Sequence, residues 1–262
     1  MKRIAIAAAL FTLALTAALP AAADMNNLIR IGDEHYVNRN EGHAGSTLAP
    51  GPIAKAIAAY EQALAEDPNS VEASWKLMRA LYFQGTYGNL DDEGKKEIFR
   101  RCTDLGEAAV TREPDSIDVN FWLAVCWGRF GEVYGKMKAA REGVAEKIRD
   151  RAQKVIDLDP VYETAGGYRV LGRLHHQSPR IPFLLSWPSN KEALKLLEKA
   201  VANEPAHPIS KVFYAEILWD VKEKAKAIAV LEDLLDDPVD PTDAVTWEGA
   251  REDAIHDLEE WR

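Results

Sequence analysis

Residues 53–68 read IAKAIAAYEQALAEDP, and this stretch decides the fold. Ala56, Tyr60 and Ala63 are spaced by four and three residues, which places them on one face of a helix. Small alanines flank one large ring, so a neighbouring helix can approach closely. Pro68 then ends the helix, because proline cannot continue it. The stretch predicts a helix with one buried face and a sharp end.

The same acid–proline ending recurs along the chain. It stands at prolines 68, 114, 160, 205 and 238, which are 46, 46, 45 and 33 residues apart. Further helices are predicted after these breaks, at residues 71–83, 117–130 and 209–221, and the longer units predict inserts at 85–95 and 131–143. Short turns force successive helices to run antiparallel. The sequence predicts an all-α protein of ten or eleven helices, with about five antiparallel pairs in residues 24–240.

These phrases resemble tetratricopeptide repeats, whose units close with a small residue, an aromatic residue or leucine, a small residue and a proline. The pattern occurs at Ala56, Tyr60, Ala63 and Pro68, and again at Ala193, Leu197, Ala200 and Pro205. The usual unit has 34 residues, and only the last interval is close to that length. The resemblance implies an α-solenoid that binds other molecules on a concave face.

A narrower resemblance involves residues 166–176, GGYRVLGRLHH, and residues 179–183, PRIPF. These segments resemble the T component of TRAP-type transporters and related exported repeat proteins. The resemblance implies a periplasmic helical protein that partners a solute-binding protein and helps to deliver small organic acids. Eukaryotic repeat proteins tied to microtubules share the general pattern, but the N-terminus disfavours that interpretation.

Residues 1–23 have the layout of a cleavable signal peptide. Two basic residues precede an uncharged apolar run from Ile4 to Leu19, and three alanines end at Ala23. The alternative is an uncleaved membrane anchor, although a span usually needs about 20 apolar residues. Cleavage after Ala23 predicts a periplasmic chain without a membrane span.

The charge of the chain argues against two classes of partner. The formal charge is −10, and removal of residues 1–23 leaves 30 basic against 42 acidic residues, a charge of −12. Nucleic acids and anionic lipids both attract basic surfaces. We therefore expect neither as a partner.

Residues 241–262 form an amphipathic helix by their pattern. The apolar positions recur at three or four residues and are Trp247, Ala250, Ala254, Leu258 and Trp261. Because repeat arrays need a polar cap over an open end, this segment is predicted as a capping helix. The alternative is a helix that docks a partner.

Cys102 and Cys126 are each 12 residues from Pro114. In an antiparallel hairpin, residues equally far from the turn lie at equal height. An oxidising compartment permits a disulfide between them, and the alternative is a pair of buried free thiols. In either case the cysteines are structural, since no Cys-x-x-Cys redox spacing occurs.

In proteins of this kind the first helix of each pair lines the concave groove. The predicted groove-facing residues are Trp75, Arg79, Tyr82, Phe121, Arg129, Arg169, Arg173, His176 and Trp219. Arginine binds carboxylates in bidentate fashion, so this face suits an organic acid or the carboxylate end of a peptide. The alternative is that these arginines form ordinary ion pairs with Glu72, Asp118 and Glu216.

The stretch from residue 178 to residue 190 is apolar for a loop. Its candidate partner-contacting residues are Arg180, Ile181, Phe183 and Trp187. Because large apolar patches are rarely left exposed to solvent, we expect other protein surface to cover this loop. It either folds back over its own helices or acts as a lid or a partner contact.

Motifs for catalysis and metal binding do not occur in the sequence. There is no His-Glu-x-x-His, no Walker loop and no Gly-x-Ser-x-Gly elbow. We therefore expect no enzyme activity, no cofactor and no metal. The sequence favours an exported scaffold that docks another protein, such as a solute-binding protein. The alternative is a transport accessory that binds a small organic anion, and a cell-wall hydrolase is a third class without a supporting motif.

Overall fold

The computed structural model describes residues 24–181, 183 and 185–262, so the predicted signal peptide at residues 1–23 lies outside the described residues. In these ranges the chain forms twelve α-helices, one 3-10 turn (Pro241–Asp243) and, as extended pairing, only two isolated bridges. The helices are α1 (Met25–Val37), α2 (Pro50–Glu66), α3 (Val71–Tyr87), α4 (Asp92–Arg112), α5 (Ile117–Tyr134), α6 (Lys136–Arg141), α7 (Val144–Leu158), α8 (Tyr162–Gln177), α9 (Asn190–Asn203), α10 (Pro208–Asp220), α11 (Lys224–Asp236) and α12 (Ala244–Trp261). The predicted all-α class is confirmed. None of the described helices is both long and apolar enough to cross a membrane.

Ten of these helices form the five predicted antiparallel pairs. α1 packs with α2, α3 with α4, α5 with α7, α8 with α9, and α10 with α11. The first helices of neighbouring pairs also touch, α3 with α5, α5 with α8, and α8 with α10. Helix α6 occupies the insert predicted at residues 131–143, so the described helices number twelve and not ten or eleven.

At each acid–proline break, the acidic residue before the proline leaves the helical conformation and so ends the helix. Helix α2 ends at Glu66, and Asp67 is extended with φ −133°, because the following Pro68 disfavours helical geometry at that position. Ser70 then caps α3, where its Oγ accepts a hydrogen bond from Ala73 N at 3.2 Å. A serine caps α5 after the next break in the same way.

Tyr60, the large residue of the first phrase, is completely buried where α2 meets α1. A Cβ atom on Gly32 would lie 2.3 Å from Tyr60 Cε1, so the bare glycine permits this close approach. The Tyr60 hydroxyl donates to Asp33 Oδ1 at 2.8 Å, which satisfies the polar end of the ring. The alternation of small and large residues therefore sets the distance between the helices.

The structure corrects the predicted end of α3 and the insert after it. Helix α3 continues to Tyr87, beyond its predicted end. Gly85 lies inside the helix, where an added Cβ would be 2.7 Å from the Phe99 ring. This glycine serves a close helix contact and not a turn. The insert predicted at residues 85–95 is therefore wrong, and only the connection 88–91 separates α3 from α4.

Cys102 and Cys126 form a disulfide that ties α4 to α5. Their Cα atoms are 5.9 Å apart, within the range that permits the bond, and both side chains are completely buried. Equal spacing from Pro114 therefore brings the two cysteines to one height, and the two helices turn them towards each other.

Helix α12 joins the two ends of the array. Its apolar stripe packs on α10 and α11, which fits the capping interpretation, but its start also meets the loop after α1. Asn40 Nδ2 donates to Thr242 O at 2.7 Å, and Val245 N donates to Asn40 Oδ1 at 3.3 Å. Arg39 Nη2 lies 2.8 Å from Asp243 Oδ1. We call these contacts the closure, because they turn the solenoid into a ring.

Asn40→Ala removes both Asn40 hydrogen bonds of the closure. Because a buried polar group left without its partner costs about 1–3 kcal/mol, we expect faster amide hydrogen exchange throughout residues 244–261. Asn69→Ala is the control, since Asn69 is exposed in the turn before α3. Equal exchange of α12 in Asn40→Ala and wild type would contradict a closure held by Asn40.

Candidate functional site

The ring encloses a cavity with a volume of about 1000 Å³. Its wall comes from α1, α3, α5, α6, α7, α8 and α10, from the loop after α8 and from the start of α12. The charged side chains in the wall are Asp33, Arg39, Glu72, Lys76, Arg79, Arg129, Glu132, Glu163, Arg169, Arg173 and Asp243. The closure thus adds side chains from both ends of the array to the predicted groove.

Most of the predicted groove residues line this cavity. They are Trp75, Arg79, Tyr82, Phe121, Arg129, Arg169 and Arg173. Two others do not. His176 lies at the end of α8 with its Nε2 2.9 Å from Asp220 Oδ2. Trp219 stacks on Trp261 at a centroid distance of 4.5 Å. It comes six residues after Phe213, which lines the cavity, so its side chain lies about 240° further around α10 and points away from the cavity.

The sequence pattern does not predict that the two ends of the chain contribute to the wall. Tyr36 and Arg39 come from the end of α1 and the loop after it, and Asp243 and Thr246 come from the start of α12. In a repeat array each unit contacts only its neighbours, and the path of the whole depends on small rotations between them. No short stretch of sequence indicates the total rotation over all the units. The repeat pattern alone therefore does not predict that these four residues line the cavity.

Arg79 is held in the wall mainly by aromatic contact. Its Cζ lies 3.8 Å from the centroid of the Tyr36 ring. Its ion pair with Asp33 spans 4.0 Å, while the Asp33 oxygens lie 2.8 Å from the Tyr60 hydroxyl and 2.6 Å from Lys76 Nζ. The buried Nε atoms of Arg79, Arg39 and Arg173 all lack a hydrogen-bond partner among the described residues, so the long distance to Asp33 is what distinguishes Arg79. The ring therefore positions a cation whose hydrogen-bonding capacity is not saturated by Asp33.

Three other cavity arginines have close acidic partners. Arg39 is paired across the closure. Arg129 Nη1 lies 2.8 Å from Glu132 Oε2, and Arg173 forms an ion pair with Glu216. For the two predicted groove residues among them the structure contains the ion pairs of the alternative interpretation, with Glu216 as the expected partner of Arg173 and the neighbouring Glu132 as the partner of Arg129.

Arg169 stabilises a strained turn at the start of α8. The φ angles are 47° at Glu163, 54° at Thr164 and 59° at Ala165, and left-handed backbone costs about 1–2 kcal/mol per residue. Arg169 Nη1 donates to Thr164 O at 3.0 Å, and Nη2 donates to Glu163 O at 3.2 Å. Burial lowers the pKa of Arg169 to about 10, so it stays charged at neutral pH. Its donors are largely engaged by the protein's own backbone.

His207 is a neutral side chain in the cavity wall. Burial, reinforced by the charge of Arg169, lowers the pKa of His207 to about 2. Its Nδ1 accepts a hydrogen bond from Ser210 N at 3.2 Å and so caps α10. Because it remains uncharged near neutral pH, His207 adds no positive charge to the cavity.

One side of the cavity is apolar. We call it the apolar chamber, and its residues are Val125, Ala139, Ala140, Val144, Ala145, Ile148, Leu174 and Leu185. They come from α5, α6, α7 and α8 and from the loop after α8. Of the described residues on α6 and α7, those that line the cavity are all uncharged. The insert predicted at residues 131–143 thus forms part of the wall.

The loop between α8 and α9 mostly folds back over the protein. Ile181 and Leu185 exchange backbone hydrogen bonds at 2.7 and 2.8 Å, and Leu185 is buried. Trp187 packs edge-on against a histidine ring at a centroid distance of 5.0 Å. Arg180 Nη2 donates to a carbonyl within the loop at 3.2 Å. Arg180 is also exposed, and Phe183 is the one exposed apolar side chain of the five, with a relative exposure of 107% and φ 65°.

An acidic cluster involving α10 and α12 lies outside the cavity wall. Its members are Glu216, Asp253 and Asp257. Burial, followed by the charges of Glu216 and Asp253, raises the pKa of Asp257 to about 6. Within the residues that the structure describes, no group of three or more histidine, cysteine or acidic side chains is arranged to hold a metal ion.

Asp257→Asn should stabilise the protein above pH 6. A carboxyl group whose pKa is raised in the folded state favours folding when it is protonated and opposes it when it is ionised. The variant should therefore unfold with a free energy about 1 kcal/mol higher than wild type at pH 8, after allowance for solvent screening. Near pH 3.5 the difference should vanish.

The measurement is urea denaturation at both pH values. Glu259→Gln is the control, because Glu259 is exposed on the same helix. An equal increase in the free energy of unfolding at pH 3.5 and pH 8 would contradict the claim that the ionised Asp257 carboxylate destabilises the fold.

Comparisons with known proteins place the chain in a family of helical repeat proteins. A search of curated proteins found no match. Among solved structures, the chain is similar to TTC0263, described as a thermophilic TPR protein in Thermus thermophilus. The identity is 18%, the alignment covers 86% of this chain and 98% of that chain, and the TM-score is 0.59. This likeness shows the fold, and it confirms the resemblance to tetratricopeptide repeats.

Two further solved structures are more distant. MamA protein is 16% identical over 88% of this chain and 94% of that chain, with a TM-score of 0.49. YrrB, described as a TPR protein with an unusual peptide-binding site, is 14% identical over 90% of this chain and 92% of that chain, with a TM-score of 0.47.

The family comparison covers most of the chain. Residues 48–254 match the family described as Regulator of microtubule dynamics protein 1-3. This range begins before α2 and ends inside α12, so it includes four of the helix pairs and most of the helix that closes the ring. The chain is a TPR-like helical repeat scaffold, of a kind that generally mediates protein interactions, and it belongs to the regulator of microtubule dynamics protein 1-3 family.

Proposed function

We propose that this chain is a non-enzymatic binding protein that holds an organic anion inside its closed cavity. The observation that carries the proposal is Arg79, a cavity-lining guanidinium supported by the Tyr36 ring, with its acidic neighbour Asp33 4.0 Å away. A carboxylate of a ligand can accept two parallel hydrogen bonds from such a group. This favours the small-anion alternative over a bulky partner in the groove.

The size of the cavity supports a small ligand. Its volume of about 1000 Å³ is at the upper end of the range of about 300–1,000 Å³ for sites that bind drug-sized molecules. A cavity of this volume is too small for a folded protein. A small organic acid or a short peptide segment can fit.

The local charge also supports an anion. The cavity wall carries five arginines and one lysine against five acidic side chains, whereas the whole chain has a net charge of −10. The cavity wall therefore carries a small excess of positive charge within an acidic molecule. A cleft of this kind concentrates ligands of the opposite sign.

Arg79→Gln should weaken the binding of carboxylates about tenfold or more. A charge-assisted hydrogen bond contributes about 1.5–3 kcal/mol, and about 1.4 kcal/mol corresponds to a factor of ten in Kd. The measurement is calorimetric titration with acetate, benzoate, succinate and decanoate. Arg30→Gln is the control, since the Arg30 side chain is 60% exposed on α1. Failure of all four acids to bind wild type at millimolar concentration would sink the proposal.

We propose export to the periplasm as the cellular setting. The signal-like layout of residues 1–23 supports it, and so does the disulfide between Cys102 and Cys126, which suits an oxidising compartment. The family name refers to microtubule dynamics, but a role there for this chain has no support in the cavity chemistry. The resemblance of residues 166–183 to TRAP transporter T components supports a role in solute transport.

A second candidate function is docking of a periplasmic solute-binding protein through the loop between α8 and α9. The observation that favours it is the full exposure of Phe183 at the tip of that loop. A large apolar ring held away from the protein suits a contact with another surface.

Phe183→Ser should reduce retention of the partner. The exported chain, whose first residue should be Asp24, would be immobilised and exposed to a periplasmic extract, with bound proteins identified by mass spectrometry. We expect a solute-binding protein in the wild-type eluate and a several-fold smaller amount with the variant, because the contact loses its apolar centre. Phe183 is exposed, so the variant should fold as wild type does. Equal recovery with both chains would remove the loop from this role.

A further inference from the structure

We propose that the cavity selects amphipathic monocarboxylates, with the carboxylate at Arg79 and the apolar body in the apolar chamber. This inference rests on the proposed function and names its ligand class. It follows from the arrangement of charge within the cavity, from the contribution of the insert segments to the chamber, and from a bare stretch of α5.

The two ends of the cavity differ in polarity. The chamber side chains Val144, Ile148, Leu174 and Leu185 are nearly buried and belong to one continuous apolar cluster. Helices α5 and α8 contribute both charged and apolar side chains to the wall, whereas the described wall residues of α6 and α7 are all uncharged. Arg79 lies on α3, which packs on α5, and α7 packs on α5 as well. A ligand that reaches from Arg79 to α7 therefore meets a cation at one end and apolar side chains at the other. A second carboxylate in the chamber would have no cationic partner among the described α6 and α7 side chains that line the cavity.

Part of the chamber comes from residues that a 34-residue repeat lacks. Helix α6 lies between the two members of the third pair, and the loop from 178 to 189 lies between the two members of the fourth pair. Ala140 from the first segment and Leu185 from the second both line the cavity. Two separate insertions therefore add to an apolar wall that the paired helices α5, α7 and α8 begin. Connections with no role in the interior are expected to run over the outer surface.

Helix α5 carries glycines where it faces the cavity. A Cβ placed on Gly128 would meet nothing within 4 Å, and one on Gly131 would have Ala139 Cβ at 3.6 Å as its nearest neighbour. Packing therefore does not require glycine at either position, in contrast to Gly32 and Gly85. Glycine inside a helix is less stable than almost any other residue. Bare backbone at this place instead leaves room for a bound molecule.

The length of the apolar body distinguishes this class from other organic acids. Decanoate has one carboxylate and a long apolar chain, acetate has the head without the chain, and succinate has two heads. Burial of apolar area strengthens binding in proportion to the area buried. We expect decanoate to bind at least tenfold more tightly than acetate or succinate, and 1-decanol to bind more weakly than decanoate because it lacks the charge.

Gly128→Leu tests the chamber directly. The leucine should extend into the open space, so decanoate should bind at least tenfold more weakly than it does to wild type, while the affinity for acetate stays within a factor of two. The thermal midpoint without ligand should stay the same or rise, since leucine favours a helix more than glycine does. Gly51→Leu is the matched control, because Gly51 is exposed on α2 and an added Cβ there also meets nothing within 4 Å.

The outcomes separate this inference from the proposed function. Loss of decanoate affinity in Gly128→Leu but not in Gly51→Leu would support the chamber. Decanoate binding unchanged in Gly128→Leu but lost in Arg79→Gln would overturn the chamber and leave the proposed function standing, as would equal affinity for decanoate and acetate. Absence of binding by every carboxylate would overturn both.

Discussion

The architecture of the site depends on the contact between Asn40 and the backbone at Thr242 and Val245. Five helix pairs alone would form an open, curved array with a concave groove. The hydrogen bonds at 2.7 and 3.3 Å join the loop after the first helix to the start of the last one. They give the groove a closed circumference, so side chains from α1, α3, α5, α8, α10 and α12 face one interior.

The helix pairs could be predicted from the sequence because their causes are local. Proline after an acidic residue disfavours helix within one or two positions, and alanines spaced by three and four residues define a face. The predicted end of α3 was wrong for a different reason. A glycine in the sequence is compatible with a turn and also with a close helix contact, such as the approach of Phe99 to Gly85. Only the position of the neighbouring helix decides between the two.

The candidate site could be predicted in part. The position of a residue around its helix can be predicted from the repeat pattern, and it places residues such as Arg79 and Arg129 on the concave face. The contacts that each arginine makes cannot be predicted from the repeat pattern. Arg169 is engaged because the chain enters α8 through a left-handed turn, and no residue type in that turn signals it. The closure also stays hidden, since it results from rotations summed over all five pairs.

The insertions give this fold its particular chemistry. The shared repeat core supplies the ring and part of the apolar wall, and α6 and the loop after α8 complete that wall. A crystal structure of residues 24–262 grown with decanoate tests the central claim most directly. The account predicts a closed ring with the carboxylate beside Arg79 and the chain against Val144 and Ile148. An open array, with α12 separated from Asn40, or a ligand bound only on the outer surface would contradict it.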